Sequence, residues 1–256
     1  MDTPSPSPFD ESYPGDACFV GILGGMGPMA GAAFAARLVA LTPAGHDQHH
    51  IPTLLRNDPR IPDRSNARMG RGPDPLPALL RGVRDLESRG VALIAIPCNT
   101  AHFWYEEMRA AVRVPVLHIV DSVISDLRRQ GFNKGRIGVM GTRATLRQGL
   151  YQARLESAGY TCELLNETDM EHYSLAALEA VKANDLAASI GPAVDGIQTL
   201  RKQGADAVVL GCTELPLAVP HALRSAMGVA LSDSLDALAL AVIERYRESH
   251  RPLTAV

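Results

Sequence analysis

Ile96-Pro97-Cys98-Asn99-Thr100 and Leu210-Gly211-Cys212-Thr213-Glu214 each set a cysteine at the end of an apolar run. Short runs that are apolar throughout read as parallel strands buried on both faces. In open α/β sheets ligands bind beyond the carboxyl ends of the strands, so both thiols fall where a ligand would lie.

The surroundings of the two cysteines repeat. Leu86-Glu87-Ser88-Arg89-Gly90 and Leu200-Arg201-Lys202-Gln203-Gly204 occupy matching places, the leucine twelve and the glycine eight residues before its cysteine. Further upstream, the apolar run Phe19 to Leu23 ends in Gly24-Gly25, and Arg136 to Met140 ends in Gly141-Thr142. Gly21 precedes Cys98 by 77 residues and Gly138 precedes Cys212 by 74. The chain therefore reads as an internal duplication, two similar α/β halves that each contribute one cysteine.

Elsewhere the pattern is mostly helical. An alanine-rich helix is expected after Gly24-Gly25-Met26-Gly27-Pro28 through about Leu41. Strand, glycine turn and helix aim backbone N–H groups at an anion, and a carboxylate suits this turn as well as a phosphate because neither nucleotide fingerprint is present. Residues 75–89 carry Leu76, Leu79, Leu80, Val83 and Leu86 on one helical face. Residues 115–120 are expected as a strand, 121–131 as a helix, and 175–188 as one helix carrying Lys182. A helix of 234–248 with Leu235, Leu238, Ala241, Val242 and Tyr246 on one side is expected to pack on the first half.

Composition narrows the function. Hydrophobic residues make up 46% and charged residues 21% of the 256, as in an ordinary globular protein. A net charge of -3 gives no electrostatic case for nucleic acid or anionic lipid. No apolar run approaches the roughly 20 residues that span a bilayer. Residues 1–17, rich in proline, serine and acid, read as a disordered leader and not a signal peptide. Four cysteines, Cys18, Cys98, Cys162 and Cys212, without a close pair favour a reducing cytoplasm. His46-Asp47-Gln48-His49-His50 is the densest group of potential metal ligands, but adjacent histidines without a supporting motif read as a polar loop, and no metal site is expected.

Two thiols on opposite walls of a cleft can invert a carbon acid. A thiolate on one face removes the α proton while a thiol on the other supplies one. A free cysteine titrates near about 8.5, so neighbours must favour the thiolate, and Asn99, Thr100 and Thr213 are suitably polar. Cys18 and Cys162 have no such surroundings and read as buried apolar residues. Pyridoxal phosphate is the common electron sink for amino acid carbanions, yet the three lysines, Lys134, Lys182 and Lys202, lie in no phosphate-binding context. A cofactor-independent route is expected. The loop Arg56-Asn57-Asp58-Pro59-Arg60-Ile61-Pro62-Asp63-Arg64-Ser65 supplies arginine forks for a carboxylate, with Arg64, ahead of a helix N-cap expected at Ser65, the preferred one. Lys182 reads equally as an exposed helix lysine or as the partner of an acidic substrate side chain.

Gly24-Gly25-Met26-Gly27-Pro28, Ile61-Pro62-Asp63-Arg64, Pro97-Cys98-Asn99-Thr100-Ala101-His102 and Gly211-Cys212-Thr213-Glu214 resemble the aspartate racemases of the aspartate/glutamate/hydantoin racemase superfamily. The resemblance runs from about residue 18 to 248. It implies two pseudo-symmetric three-layer αβα domains with mostly parallel sheets and an active-site cleft between them: residues 18–118 plus 224–248 as one half, 119–223 as the other. It further implies Cys98 and Cys212 as the two catalytic bases, with Met26, Gly27, Arg64, Asn99, Thr100, Thr213, Glu214 and Lys182 around an amino acid substrate. No cofactor and a homodimer are also implied. Relatives that resemble glutamate racemase have acid and serine in the first turn and histidine after the second Cys-Thr pair. Gly24 to Gly27 and Glu214 stand there in this chain, so the resemblance implies interconversion of L- and D-aspartate. Broader or glutamate racemisation, hydantoin racemisation, maleate isomerisation and a silent amino acid sensor are the alternatives.

Overall fold

The computed structural model describes residues 19–249. The leader of 1–17 and Cys18 lie outside the described residues.

The first sheet starts with β1 (Val20–Gly24) and runs through α1 (Pro28–Leu41), β2 (Thr53–Asn57), the short α2 (Arg64–Arg68), α3 (Leu76–Ser88) and β3 (Leu93–Ala95). Its order is β2-β1-β3, all parallel. Both faces of β1 are covered. Val20 and Ile22 pack with Phe34 and Leu38 of α1, while Leu23 packs with Leu79, Val83 and Leu86 of α3. Burial on both faces explains why the strand reads as apolar throughout rather than alternating.

After β3 come a 3₁₀ turn (Thr100–Trp104), α4 (Tyr105–Ala110) and α5 (Ile119–Arg129). The second sheet then begins with β4 (Gly135–Met140), followed by α6 (Arg143–Arg147), α7 (Gln152–Ser157), β5 (Tyr160–Leu164), α8 (Glu167–Asp169), a π-helical turn (Met170–Leu175), α9 (Ala176–Lys182), α10 (Leu186–Lys202) and β6 (Ala207–Leu210). Two short helices, α11 (Leu215–Ala218) and α12 (His221–Arg224), lead to β7 (Ala230–Asp233) and α13 (Ser234–Ser249). Its order is β5-β4-β6-β7, again all parallel. Two parallel sheets with helices on their faces match the α/β fold expected from the sequence.

The duplication is visible in the packing. Gly21 pairs with Ile94, four residues before Cys98, and Gly138 pairs with Val208, four before Cys212. A Cβ on Gly21 would lie 3.4 Å from Leu86 Cβ, and one on Gly138 would lie 3.1 Å from Leu200 Cβ. The matched leucines thus press α3 and α10 onto side-chain-free points of the two central strands. That contact is why the leucine and glycine keep their spacing from the cysteine in both halves.

Four local expectations change. Residues 115–120 contribute only one bridge, Ile94 to Val116, because the His118 side chain accepts the Val120 N–H and turns the chain into α5. The helix expected over 175–188 is two helices. Asn184 takes a left-handed φ of 61°, and Asp185 caps α10 by accepting the Ala188 N–H at 3.0 Å. The cap of α2 is Asp63, whose Oδ1 accepts the Asn66 N–H at 2.6 Å, and Ser65 lies inside the helix. Residues 230–233, grouped with the first half in the sequence reading, hydrogen-bond to β6 of the second sheet, whereas α13 buries Leu235, Leu238, Val242 and Tyr246 and packs on α1 and α5. Among the described residues no helix is long and apolar enough to cross a membrane.

Candidate active site

Because β3 and β6 occupy equivalent places in the two sheets, their carboxyl ends bring the two cysteine loops to one cleft. Met26, Arg64, Cys98, Asn99, Thr100, Lys182, Cys212, Thr213 and Glu214 all line it, joined by Asp63, Ser65 and Thr142. Gly27 lies just outside, in a wider vestibule of about 420 Å³ that shares Asp63, Arg64, Lys182 and Glu214 with the inner cleft. The residues expected around the substrate therefore gather at the cleft and its vestibule.

Both thiols are 5% exposed, so neither is a surface cysteine. Each senses Glu214 and a cation, but the cation is the stronger charge at Cys98 and the carboxylate at Cys212. Burial pushes the Cys98 thiol up and Glu214 adds to the rise, while Arg64 offsets part of it with its charge and a hydrogen bond, so the thiol stays above its ordinary range. Burial also pushes Cys212 well up, and there Glu214 adds to the rise. Cys212 Sγ donates to Glu214 Oε2 at 2.9 Å, with Lys182 opposing more weakly. Backbone amides lean on both sulfurs, that of Ala101 on Cys98 and that of Glu214 on Cys212, and favour thiolate at each.

Glu214 ties the glycine turn to the second half. Its Oε1 accepts the Gly27 N–H at 3.1 Å, and its Oε2 also accepts from Thr213 Oγ1 at 3.2 Å. The anion met by the glycine turn is thus the protein's own carboxylate. Gly25 is required by close approach: at φ 96°, a Cβ would lie 2.2 Å from the Asp58 carbonyl oxygen.

Arg64 is held from one side. Its Nη1 donates to the carbonyls of Ile61 and Pro62 at 3.2 and 3.0 Å, and its buried Nε has no hydrogen-bond partner among the described residues. A buried donor without a partner is costly, so this N–H is free for a ligand carboxylate. Asp63, which fixes the start of α2, thereby sets where the guanidinium points. Lys182 ends α9 at the cleft mouth.

Behind Cys98, His102 Nε2 accepts the Ile119 N–H at 3.2 Å, which leaves Nδ1 protonated to donate to the Cys98 carbonyl at 2.8 Å. Burial lowers its pKa to about 4, so the ring is neutral and structural. Cys162, half-buried in β5 and far from the cleft lining, is raised to about 11 by burial.

Several site residues were not found from the sequence. Thr100, Thr142 and Thr145 form a triangle of hydroxyls, with Oγ1 separations of 3.2, 3.2 and 2.9 Å, across the two halves. Thr142 follows Gly141 at the end of β4, the counterpart of the glycine turn after β1, so the repeat carried a signal for it. Thr145, one turn on, and Tyr151, whose hydroxyl donates to Asn99 Oδ1 at 2.6 Å, have no such signal.

Comparison with known proteins agrees with this geometry. Residues 23–242 match the family described as Asp/Glu/Hydantoin racemase. The chain is similar to the broad specificity amino-acid racemase RacX of Bacillus subtilis, with 28% identity over 89% of this chain and 97% of RacX. It is also 28% identical to a glutamate racemase of Aquifex pyrophilus, over 61% of this chain and 59% of that protein. Among solved structures it resembles Picrophilus torridus aspartate racemase, with a TM-score of 0.79 and 30% identity over 91% of this chain and 97% of that one. The chain belongs to the Asp/Glu/hydantoin racemase family and is an amino acid racemase.

Proposed function

We propose that this racemase interconverts L- and D-aspartate by two-base proton transfer between Cys98 and Cys212, without a cofactor. The observation that carries the reading is the pairing of two buried thiols in one cleft, at equivalent strand ends, with Arg64 the nearer charge at one and Glu214 at the other. Arg64 makes Cys98 the more readily ionised of two thiols that burial raises, and Glu214, bonded to Cys212, holds that one as thiol. Once ionised, Cys98 takes the α proton of one enantiomer while the Cys212 thiol protonates the opposite face. The products are a Cys98 thiol and a Cys212 thiolate, the form that attacks the other enantiomer. Resetting without substrate returns a proton to Cys212, and the carboxylate 2.9 Å away is placed to pass it.

Arg64, with its free Nε donor, and Lys182 are the two cations at the cleft, and two carboxylates of one substrate would meet both. Asn99, Thr100 and Thr213 supply neutral polar contacts, Met26 the apolar wall and Gly27 the anchor for Glu214. The similarity to an aspartate racemase supports the same substrate. The described cysteines Cys98, Cys162 and Cys212 are all free, which supports a reducing cytoplasmic setting; a homodimer is carried over from the family resemblance and is read by sedimentation.

A second reading, broader specificity, is favoured by the vestibule. Met29, Ile61 and Val181 give it an apolar wall beyond the cations, where a longer or neutral side chain would rest. The similarity to RacX points the same way. Incubation in deuterium oxide with a panel of amino acids tests both. Deuterium entering the α position of both aspartate enantiomers, faster than into glutamate or neutral amino acids, is expected. Exchange with neutral amino acids at equal rates favours the broader reading, and no exchange with any amino acid overturns the proton-transfer mechanism.

A further inference from the structure

We propose that Tyr151 is a positioning residue that gauges the distance between the two cysteine loops and fixes the Asn99 amide between them, an inference that rests on the two-cysteine reading. Tyr151 is fully buried at the start of α7, and a buried phenol needs a partner for its hydroxyl. The hydroxyl donates to Asn99 Oδ1, 2.6 Å away on the residue that follows Cys98, and Ser234 hydrogen-bonds it as well. The ring lies on Gly211, the residue before Cys212. A Cβ there would meet Tyr151 Cε2 at 2.9 Å and the Met140 carbonyl oxygen at 2.7 Å. One side chain therefore touches the neighbour of each thiol, its hydroxyl on Asn99 and the adjoining ring edge on Gly211.

The Asn99 amide is held on its other side as well. Its Nδ2 donates to Ser234 Oγ at 3.1 Å, at the start of α13. With the oxygen engaged by Tyr151 and one N–H by Ser234, a single N–H is left, on a residue that lines the cleft between the thiols. Burial holds the Tyr151 phenol well above its ordinary pKa, so its hydroxyl remains a donor throughout the working range. Without that hydroxyl the Asn99 amide gains a rotational choice. The remaining N–H then leaves the cleft for part of the time, and the spacing of the loops loses its strut.

The test is Tyr151→Phe, which keeps the ring against Gly211 and removes only the hydroxyl. Racemisation of aspartate is followed in both directions for wild type, Y151F, N99A and the double variant, with thermal melts of each. Y151F is expected to fold and to lose about 10- to 100-fold in kcat in both directions with little change in KM, the size of effect a small misplacement produces. The same hydroxyl deletion is expected to cost less than about threefold in the N99A background, because it acts through Asn99. Equal losses in both backgrounds, or a folded Y151F with wild-type kcat, overturn the proposal. The Asn99 side-chain amide resonances give a reading independent of turnover: two distinct, slowly exchanging protons in wild type that merge or broaden in Y151F support it, and unchanged signals overturn it. Absence of α-proton exchange in wild type counts against the racemase mechanism alone and leaves the amide signals to decide the role of Tyr151.

Discussion

Glu214 joins Cys212 to the glycine turn of the other half: one carboxylate oxygen accepts from the Cys212 thiol at 2.9 Å and the other from the Gly27 amide at 3.1 Å. Among the described residues no carboxylate accepts a hydrogen bond from Cys98; Glu214 raises that thiol through its charge alone, and Arg64 opposes it with charge and a hydrogen bond. The duplication makes the thiols equivalent in position, and these two neighbours make them unequal in charge.

Unequal charge predicts unequal reactivity. In the unliganded protein iodoacetamide should alkylate Cys98 several-fold faster than Cys212, as read by peptide mass spectrometry over time. Glu214→Gln removes the charge that raises Cys212 and should speed its alkylation, while slowing racemisation by about 100-fold or more through loss of the proton acceptor. Equal alkylation rates in wild type contradict the assignment of Cys98 as the more readily ionised thiol.

Arg64 lowers Cys98 against the effect of burial, so its removal lets that thiol rise further. Arg64→Ala should therefore move the acidic limb of the kcat/KM profile to higher pH, in addition to raising KM through loss of a carboxylate fork. Arg64→Lys restores charge but not the fork and should return the limb toward wild type while KM stays high. A limb that does not move in R64A would place the titrating group elsewhere.

Cys98→Ala and Cys212→Ala should each abolish racemisation. Cys162→Ala should change little, since burial holds that thiol near a pKa of about 11 and it lines no part of the cleft. The measurement is turnover by circular dichroism of the free amino acid.

Much of this site was legible because the chemistry and the repeat coincide. Cys98 and Cys212 are marked by type, by their place after an apolar run and by matched spacing, and Leu86 and Leu200 keep that spacing for the packing reason seen at Gly21 and Gly138. Glu214 was legible as a site residue but not as the partner of Cys212, because two side chains two residues apart meet only when the loop turns back on itself. The glycine turn promised an anion without saying that the anion was internal. Tyr151 and Ser234 carry no signal at all: they reach Asn99 across 52 and 135 residues of chain, and such contacts leave no local periodicity. The strand expected over residues 115–120 failed for a local reason, the capping of α5 by His118, which outweighs the β preference of valine and isoleucine.

His102 gives the fold an acid limit. Its pKa is lowered to about 4 in the folded protein, against about 6.5 in an unfolded chain, because burial disfavours the charged ring. Below about pH 6.5 the unfolded chain binds the proton and the folded one does not, so stability present at neutral pH falls as pH drops toward 4. The loss from this group is ~3 kcal/mol across that window. His118, lowered to about 2 by burial and by His102, acts in the same direction. Urea unfolding at pH 7 and 4.5 should show the fall, and His102→Asn should flatten the pH dependence while lowering the stability at pH 7.

Lys182, which closes α9 and lines both the inner cleft and the vestibule, is where aspartate would be told from a wider substrate range. If it meets the side-chain carboxylate, Lys182→Met removes a charge-assisted contact of about 1.5–3 kcal/mol. That is a loss of about 10- to 100-fold in kcat/KM for aspartate, with neutral amino acids unaffected or improved. The vestibule beyond it, walled by Met29, Ile61 and Val181, would then take the longer side chains of those neutral substrates. A K182M enzyme that loses activity equally toward aspartate and neutral amino acids would show that the lysine binds a group common to all of them, and the preference for an acidic substrate would have to come from Arg64.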